Sequence, residues 1–307
     1  MEIITSLGQI HKFSAPCVVA LGTFDGLHRG HIDVISTAKR EAQQSGAKLA
    51  VFTFSNHPFA WIRPDMVPVA LITAEQKQTL LEFLGVDVLI DIPFNQQLAD
   101  LSPQDFLQKL QALNYSCLVV GENFTYGSRG LGNVDTLAIS AQKMDFKLCV
   151  RPLVSDVGQV ISSTVIRQLI SDGDVVMAAR LLGRAYSISG IVAHGNERGR
   201  LLGYPTANLE LVEAHVAIPQ GGVYAVHAEI NGITYGGMAN IGKNPTFGDV
   251  EKPRLETNIF GFSGDLYDKS LTIEFVKRIR GEVKFAGIDK LKQQLAADKE
   301  ACQRVLM

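Results

Sequence analysis

The stretch Val18-Val19-Ala20-Leu21-Gly22-Thr23-Phe24-Asp25-Gly26-Leu27-His28-Arg29-Gly30-His31 decides how this chain is read. Its first four residues are apolar and predict a buried strand. A glycine-rich turn follows, and residues 32–44 have the pattern of a helix. Turn glycines permit positive φ and let a backbone approach a ligand closely. A helix start adds unpaired N–H groups and the positive end of the helix dipole. His28 and His31 stand three apart, which predicts that they share one helix face and can meet one phosphate group. The motif holds no Ser or Cys nucleophile. It therefore suits direct displacement at phosphorus, assisted by positioning and charge stabilisation. A tight turn with two surface histidines is the plain alternative.

The rest of the first half alternates in the same way. Residues 18–21, 49–54, 86–90, 117–120 and 147–150 predict strands, and residues 32–44, 74–84, 103–110 and 134–143 predict helices. Ser102 before Pro103 reads as an N-cap with proline at the first helical position. This alternation predicts an α/β, Rossmann-like domain, a parallel sheet with helices on both faces. Ligands of such sheets bind at the carboxyl ends of the strands, where the turns at Gly22, His57 and Gly121 can converge. Near residue 160 the pattern changes. Short helices are expected at 164–171 and 175–182, separated by Asp172-Gly173-Asp174. Strands are then expected at 186–193, 223–230, 233–239, 255–259 and 271–276. Asn231-Gly232 between two of these runs predicts a type I′ hairpin. A final helix is expected at 288–305, with Leu291 and Leu295 at four-residue spacing. The division expected is 1–183 and 184–307, the second domain being an antiparallel β-barrel with a terminal helix.

Composition bounds the function. The 307 residues are 46% hydrophobic and 20% charged, which implies packed globular structure and not disorder. A net charge of −2 gives no general basic surface for nucleic acid. The four cysteines, Cys17, Cys117, Cys149 and Cys302, form no CxxC pair, which speaks against a zinc site. Cys17, Cys117 and Cys149 sit beside apolar strand residues and read as buried reduced thiols, the usual cytosolic state. Met1-Glu2-Ile3-Ile4 lacks a signal-peptide pattern, and no apolar run reaches membrane-spanning length. The expectation is a soluble cytoplasmic protein, a monomer or weak homo-oligomer, without nucleic-acid or membrane partners.

The decapeptide from Gly22 to His31 resembles the HxGH signature of the nucleotidylyltransferase superfamily. Its longer form, Gly-x-Phe-Asp-Gly-x-His-x-Gly-His, is similar to that of the prokaryotic bifunctional riboflavin kinase/FAD synthetase family. Ile161-Ser162-Ser163-Thr164-Val165-Ile166-Arg167 matches the superfamily's Ile-Ser-Ser-Thr-x-Ile-Arg throughout. The resemblance implies that Gly22, Phe24, Asp25, Gly30, Ser162, Ser163 and Thr164 hold the phosphates of ATP. It implies that His28 and His31 act at the α-phosphate and Arg167 on the departing pyrophosphate. Read as residues alone, Asp25 also fits an Asx-turn, and the Ser and Thr residues fit helix caps. Asn56 and His57 stand where the family usually shows Thr-Phe-x-Pro-His-Pro. Asn123 and Phe124 stand in its Gly-x-Asp-Phe-x-Phe-Gly loop. These four are implied flavin contacts. A capping His57 and a core Phe124 are the alternatives, and Arg129 either faces phosphates or is solvated.

A second dense region spans residues 190–209. Gly195, Gly199 and Gly203 recur every four residues without helical hydrophobicity, which predicts a loop whose amides face an anion. Thr206 and Asn208 supply neutral oxygens that magnesium accepts beside phosphates. Pro205-Thr206-Ala207-Asn208 resembles the Pro-Thr-Ala-Asn signature of riboflavin kinases. The resemblance implies that Gly195, Gly199, Arg200, Gly203 and Pro205 bind ATP, and that Thr206 and Asn208 hold Mg2+. It implies that Glu256 is the general base on the ribityl 5′-hydroxyl and that Arg280 and Phe285 contact flavin. Asn240-Ile241-Gly242 also matches the family. Asn258, Phe260 and Gly261 occupy a stretch where the family often shows His and then Leu-Asp. The whole implies phosphorylation of riboflavin to FMN by ATP, then adenylylation of FMN to FAD. Two other readings stay open: a chain with one working domain, and a flavin-sensing regulator without turnover.

Overall fold

The structure is a computed structural model that describes residues 1–10, 13–194, 203–211, 215–243 and 253–307. It divides into two compact units, Met1–Ser163 and Thr164–Met307.

The first unit is built on six strands: β1 (Glu2–Ile4), β2 (Cys17–Leu21), β3 (Lys48–Phe54), β4 (Val88–Ile92), β5 (Tyr115–Gly121) and β6 (Lys147–Arg151). They form one sheet in the order β1-β4-β3-β2-β5-β6, with every pairing parallel. β2 is buried along its whole length, as its unbroken apolar run predicts. Alternate residues feed two cores. Val19, Leu21, Phe52 and Val120 pack on one face. Val18, Ala20, Val51 and Val119 pack on the other, against Val34, Ile35, Ala38 and Ala42 of α1 (Arg29–Ser45). α1 ends at Gly46, whose φ of 63° is the left-handed stop that glycine allows.

The remaining helices are α2 (Phe59–Ile62), α3 (Ala74–Phe83), α4 (Gln96–Ala99), α5 (Pro103–Leu110) and α6 (Val134–Met144). Ser102 caps α5 ahead of Pro103, as expected, by accepting from the Asp105 N–H. β4 runs two residues later than the sequence predicts, because Val86 packs in the core before the strand pairs. The three-residue β1 was not expected. Nor was a hairpin of β7 (Ser155–Asp156) and β8 (Gln159–Val160). The two loop residues of that hairpin, Val157 and Gly158, both have positive φ, 50° and 76°. Cys149 is only half-buried, which corrects its reading as a buried thiol.

The second unit opens with α7 (Ser163–Ser171, from its second residue) and α8 (Val175–Leu182). Six strands follow: β9 (Tyr186–Ala193), β10 (Ala207–Leu211), β11 (Gly222–Ile230), β12 (Ile233–Lys243), β13 (Pro253–Ile259) and β14 (Ser270–Arg280). They close into an antiparallel barrel in the order β10-β13-β12-β11-β14-β9. The Asn231-Gly232 turn forms as predicted, with φ of 52° and 76° between paired Ile230 and Ile233. β10 was not among the expected strands. Gly190 explains why β9 can receive it, since a Cβ there would lie 2.6 Å from the Glu210 carbonyl oxygen. α9 (Ile288–Leu306) covers one outer patch, where Val223, Ala225, Met238 and Cys302 pack together with Leu295 and Leu306. Burial pushes the Cys17 thiol up to about 11 and the Cys302 thiol up to about 12, so both stay protonated at neutral pH.

Candidate active sites

From β2 the chain runs outward through β3 to β4, then returns to place β5 on the other side of β2. Such a reversal leaves a crevice at the carboxyl ends of the two strands. The turn after β2 fills that position. Phe24 and Leu27 hold φ of 49° and 43° and are buried, so the core fixes a shape that the backbone alone disfavours. Asp25 Oδ1 accepts from the Leu71 N–H at 2.9 Å, and the Asp25 carbonyl accepts from Ser163 Oγ at 2.9 Å. Thr53 Oγ1 donates to the Thr23 carbonyl at 2.8 Å. The turn is thereby tied to the end of β3 and to Ser163, the last residue of the first unit.

His28 is not on the helix face expected of it. It is the N-cap of α1, and its Nδ1 accepts from the His31 N–H at 3.3 Å. A neutral His28 ring accepting at Nδ1 carries its proton on Nε2, which leaves that atom as the donor. The rings of His28 and His31 stack with centroids 3.6 Å apart, and Phe24 meets His31 edge-on at 5.3 Å. Gly30 leaves room for this packing, since a Cβ there would lie a tight 3.1 Å from His28 Cε1. Gly22 likewise leaves room for the Phe24 ring. Burial, and next the neighbouring His28, hold His31 well below its ordinary pKa of 6.5. His31 is therefore neutral at pH 7, and its buried Nδ1 has no hydrogen-bond partner.

The flanking loops are less uniform. Asn56 is bonded to the Phe94 backbone in both directions, donating at 3.1 Å and accepting at 2.6 Å. It joins the loops after β3 and β4. His57 Nδ1 accepts from the Phe59 N–H at 3.1 Å, the capping alternative. Asn123 is exposed beside Gly121, and Phe124 stacks on Tyr126 at 5.7 Å. Arg129 is exposed and has φ of 56°. Beneath the turn, buried Lys77 bonds Asp91 and the Phe54 carbonyl, each at 2.9 Å. Arg29, in the first turn of α1, pairs with Asp156.

In the second unit, register places the candidates in one row across the barrel. Asn208 on β10 is directly opposite Glu256 on β13, and Glu256 is directly opposite Asn240 on β12. Asn240 in turn faces Val223 on β11, and Val223 faces Arg280 on β14. Residues directly opposite in antiparallel strands share a sheet face. Val223 packs under α9, so this row lies on the outer face of the barrel. Asn258, two residues beyond Glu256, donates from Nδ2 to the Pro205 carbonyl at 2.6 Å. It holds the Pro205-Thr206-Ala207-Asn208 segment against β13. Arg280 bonds both Asp298 oxygens through Nε at 2.9 and 3.1 Å and through Nη2 at 2.7 Å, and lies 5.7 Å from the Phe285 ring. Gly203, with φ of 85°, is described, whereas Gly195, Gly199 and Arg200 lie outside the described residues.

Two family models match the chain in succession: FAD synthetase over residues 10–165 and riboflavin kinase over residues 182–306. A bifunctional riboflavin kinase/FMN adenylyltransferase of Bacillus subtilis (strain 168) is 43% identical over 96% of this chain and 94% of the relative. The chain belongs to the bifunctional riboflavin kinase/FMN adenylyltransferase family. Family members from Pseudomonas fluorescens and Escherichia coli (strain K12) are each 34% identical, over 99% and 94% of this chain and 97% and 94% of the relatives. A solved structure described as a macrolide-efflux protein from Streptococcus pneumoniae is 36% identical over 98% of both chains, with a TM-score of 0.91. Among the described residues of this chain, no helix is long and apolar enough to cross a membrane.

For this riboflavin kinase/FMN adenylyltransferase family member, the structure brings together Gly22, Phe24, Asp25, His28, Gly30, His31 and Ser163 around one turn. Ser162 immediately precedes α7, and Thr164 and Arg167 lie along that helix. Asn208 and Glu256 meet as a directly opposed pair. Sequence reasoning missed the grip of Asn258 on Pro205 and the pairing of Arg280 with Asp298. In the sequence, Asn258 reads only as a departure from the family's common pattern. Asp298 carried a legible signal, an acidic residue on a helix face that also carries Leu295 and Cys302.

Proposed function

We propose that the chain is a bifunctional flavin-cofactor enzyme. One chemistry transfers the γ-phosphoryl group of ATP to riboflavin, giving FMN and ADP. The other transfers AMP from ATP to the FMN phosphate, giving FAD and pyrophosphate. The observation that carries this reading is that one chain holds both motif sets and matches FAD synthetase over residues 10–165 and riboflavin kinase over residues 182–306. The catalytic division is proposed at 1–183 and 184–307.

In the kinase chemistry, Glu256 takes the proton of the ribityl 5′-hydroxyl as that oxygen attacks the γ-phosphorus. Mg2+ arriving with ATP would be held by Thr206 and Asn208 and would neutralise phosphate charge. The fit rests on their neutral oxygen donors and on the opposition of Asn208 to Glu256. Gly195, Gly199, Arg200, Gly203 and Pro205 are proposed to surround the phosphates, and Phe285 with Arg280 to border the flavin. In the adenylyl transfer, an oxygen of the FMN phosphate attacks the α-phosphorus, and the bond to the β-phosphate oxygen breaks. That nucleophile is already anionic and needs no base. His28 and a neutral His31 donate N–H bonds to the charge that builds on the α-phosphate. Ser162, Ser163, Thr164 and Arg167 attend the outer phosphates, with Ser163 also holding the turn. Asn123 and Phe124 are proposed to border FMN, with Asn56 and His57 shaping the neighbouring loop. We further propose a cytoplasmic monomer or weak homo-oligomer acting on small molecules and not on nucleic acid, in keeping with its net charge of −2.

The test is incubation with riboflavin, ATP and magnesium, followed by chromatography of the flavins. FMN should appear first and FAD should follow. A product that stops at FMN leaves one working domain. Tight flavin binding without either product identifies a regulator.

A further inference from the structure

Three donor side chains meet on the α1 side of the sheet, and neither chemistry uses them. Cys117 Sγ on β5 lies 3.8 Å from Cys149 Sγ on β6. Cys149 Sγ lies 3.8 Å from Glu41 Oε1 on α1, and all three ligand atoms fall within 4.8 Å of one another. The other Glu41 oxygen is held by Lys147 Nζ at 2.7 Å, which fixes the carboxylate in place. A tetrahedral zinc ion with Zn–S bonds of about 2.3 Å spaces two thiolates about 3.8 Å apart. With a Zn–O bond of about 2.1 Å it spaces a thiolate and a carboxylate oxygen about 3.6 Å apart. The observed separations match two edges of that tetrahedron.

A disulfide does not fit as well. Cys117 is in register with Lys147, so Cys149 lies two residues farther along the neighbouring strand. Strand spacing and rise put the two Cα atoms about 8 Å apart, beyond disulfide reach. We propose that Glu41, Cys117 and Cys149 form a site for one thiophilic divalent metal ion of the zinc class, with water as fourth ligand. The half-buried Cys149 and Glu41 leave that position open to solvent. Binding replaces two S–H bonds by two metal–sulfur bonds and releases two protons. The charge then closes: two thiolates and one carboxylate offset the divalent ion and the Lys147 ammonium. A metal here clips α1 to β5 and β6, away from the helix end that carries His31. The two cysteines stand 32 residues apart in sequence, so no spacing motif reveals them.

The test uses the full reduced chain, stripped with chelator and titrated with Co2+ as probe. One equivalent should bind with a thiolate-to-cobalt charge-transfer absorption, and Zn2+ should displace it. The histidines of the HxGH turn and the Thr206/Asn208 pair contain no sulfur, so cobalt bound there lacks that absorption. Cys117→Ser and Cys149→Ser should each abolish the signal, and Glu41→Gln should weaken binding. In the unsubstituted chain, Zn2+ should protect two thiols from alkylation. Absence of the thiolate signal overturns the site, as does equal alkylation with and without Zn2+. Persistence of the signal in a folded Cys117→Ser/Cys149→Ser chain also overturns it.

Discussion

His31 owes its chemistry to its surroundings. A histidine in water divides its population near neutrality between charged and neutral forms. Here burial and the stacked His28 keep the ring neutral. It can then donate to a phosphate without first losing its charge to a pH change. The stability consequence has a definite sign. Below the ordinary pKa of 6.5 the unfolded chain takes up a proton that the folded ring refuses. The contribution of this ring is therefore full above pH 6.5 and is lost as pH falls from there toward the depressed folded value. Urea titrations at pH 7.5 and 5.5 should show the parent losing more stability on acidification than His31→Ala does. In activity the two sites should separate cleanly. His31→Ala should stop FAD formation from FMN while riboflavin phosphorylation continues. Glu256→Gln should lower FMN formation by roughly 10²–10⁴-fold and leave FAD formation from supplied FMN near the parent rate. Both half-reactions are measured on each purified variant, and a parallel fall of both in either variant would refute the assignment.

At the scale of elements, α9 is held to the barrel by apolar packing and by one charged clasp. Asp298 is 1% exposed and receives three bonds from Arg280. Removing one partner of such a pair costs about 3–5 kcal/mol when both are fully buried. Arg280 is partly exposed, so Asp298→Ala should fall near the lower end. Denaturant unfolding should report that loss, together with earlier proteolysis within residues 288–306. Elements with long patterns were legible in sequence. The fully apolar β2, the stripe of α1 and the Asn231-Gly232 hairpin each carry a local cause. Three-residue β1 and two-residue β7 have too few residues to show a period. β10 was hidden because its partners β9 and β13 are set by closure of the barrel, not by its own composition. The site divided in the same way. The histidine turn and Pro205–Asn208 were readable as contiguous motifs. The Asn208–Glu256–Asn240 row depends on strand register and exists only after folding.

At the scale of the molecule, the compact second unit begins at Thr164, and α7 and α8 belong to it. The Gln220 N–H donates to the Ile170 carbonyl at 3.2 Å, and Gly173 leaves room for the Arg278 side chain. Val175, Ala178, Leu181 and Leu182 of α8 are buried. Burying a large apolar side chain contributes about 1.5–3 kcal/mol, so a chain cut at 184 gives up several such increments. A fragment of residues 164–307 should melt higher than one of residues 184–307 and retain more riboflavin phosphorylation. Equal melting temperatures would assign the two helices elsewhere. The β7–β8 hairpin, finally, offers a handle for engineering. Val157 is β-branched and 72% exposed, yet holds φ of 50°. Left-handed backbone costs an L-residue about 1–2 kcal/mol, and no packing at this exposed tip repays it. Asn tolerates that backbone readily. Val157→Asn should therefore raise the melting temperature while both turnover rates stay put, giving a hardier catalyst from a single change at an exposed turn.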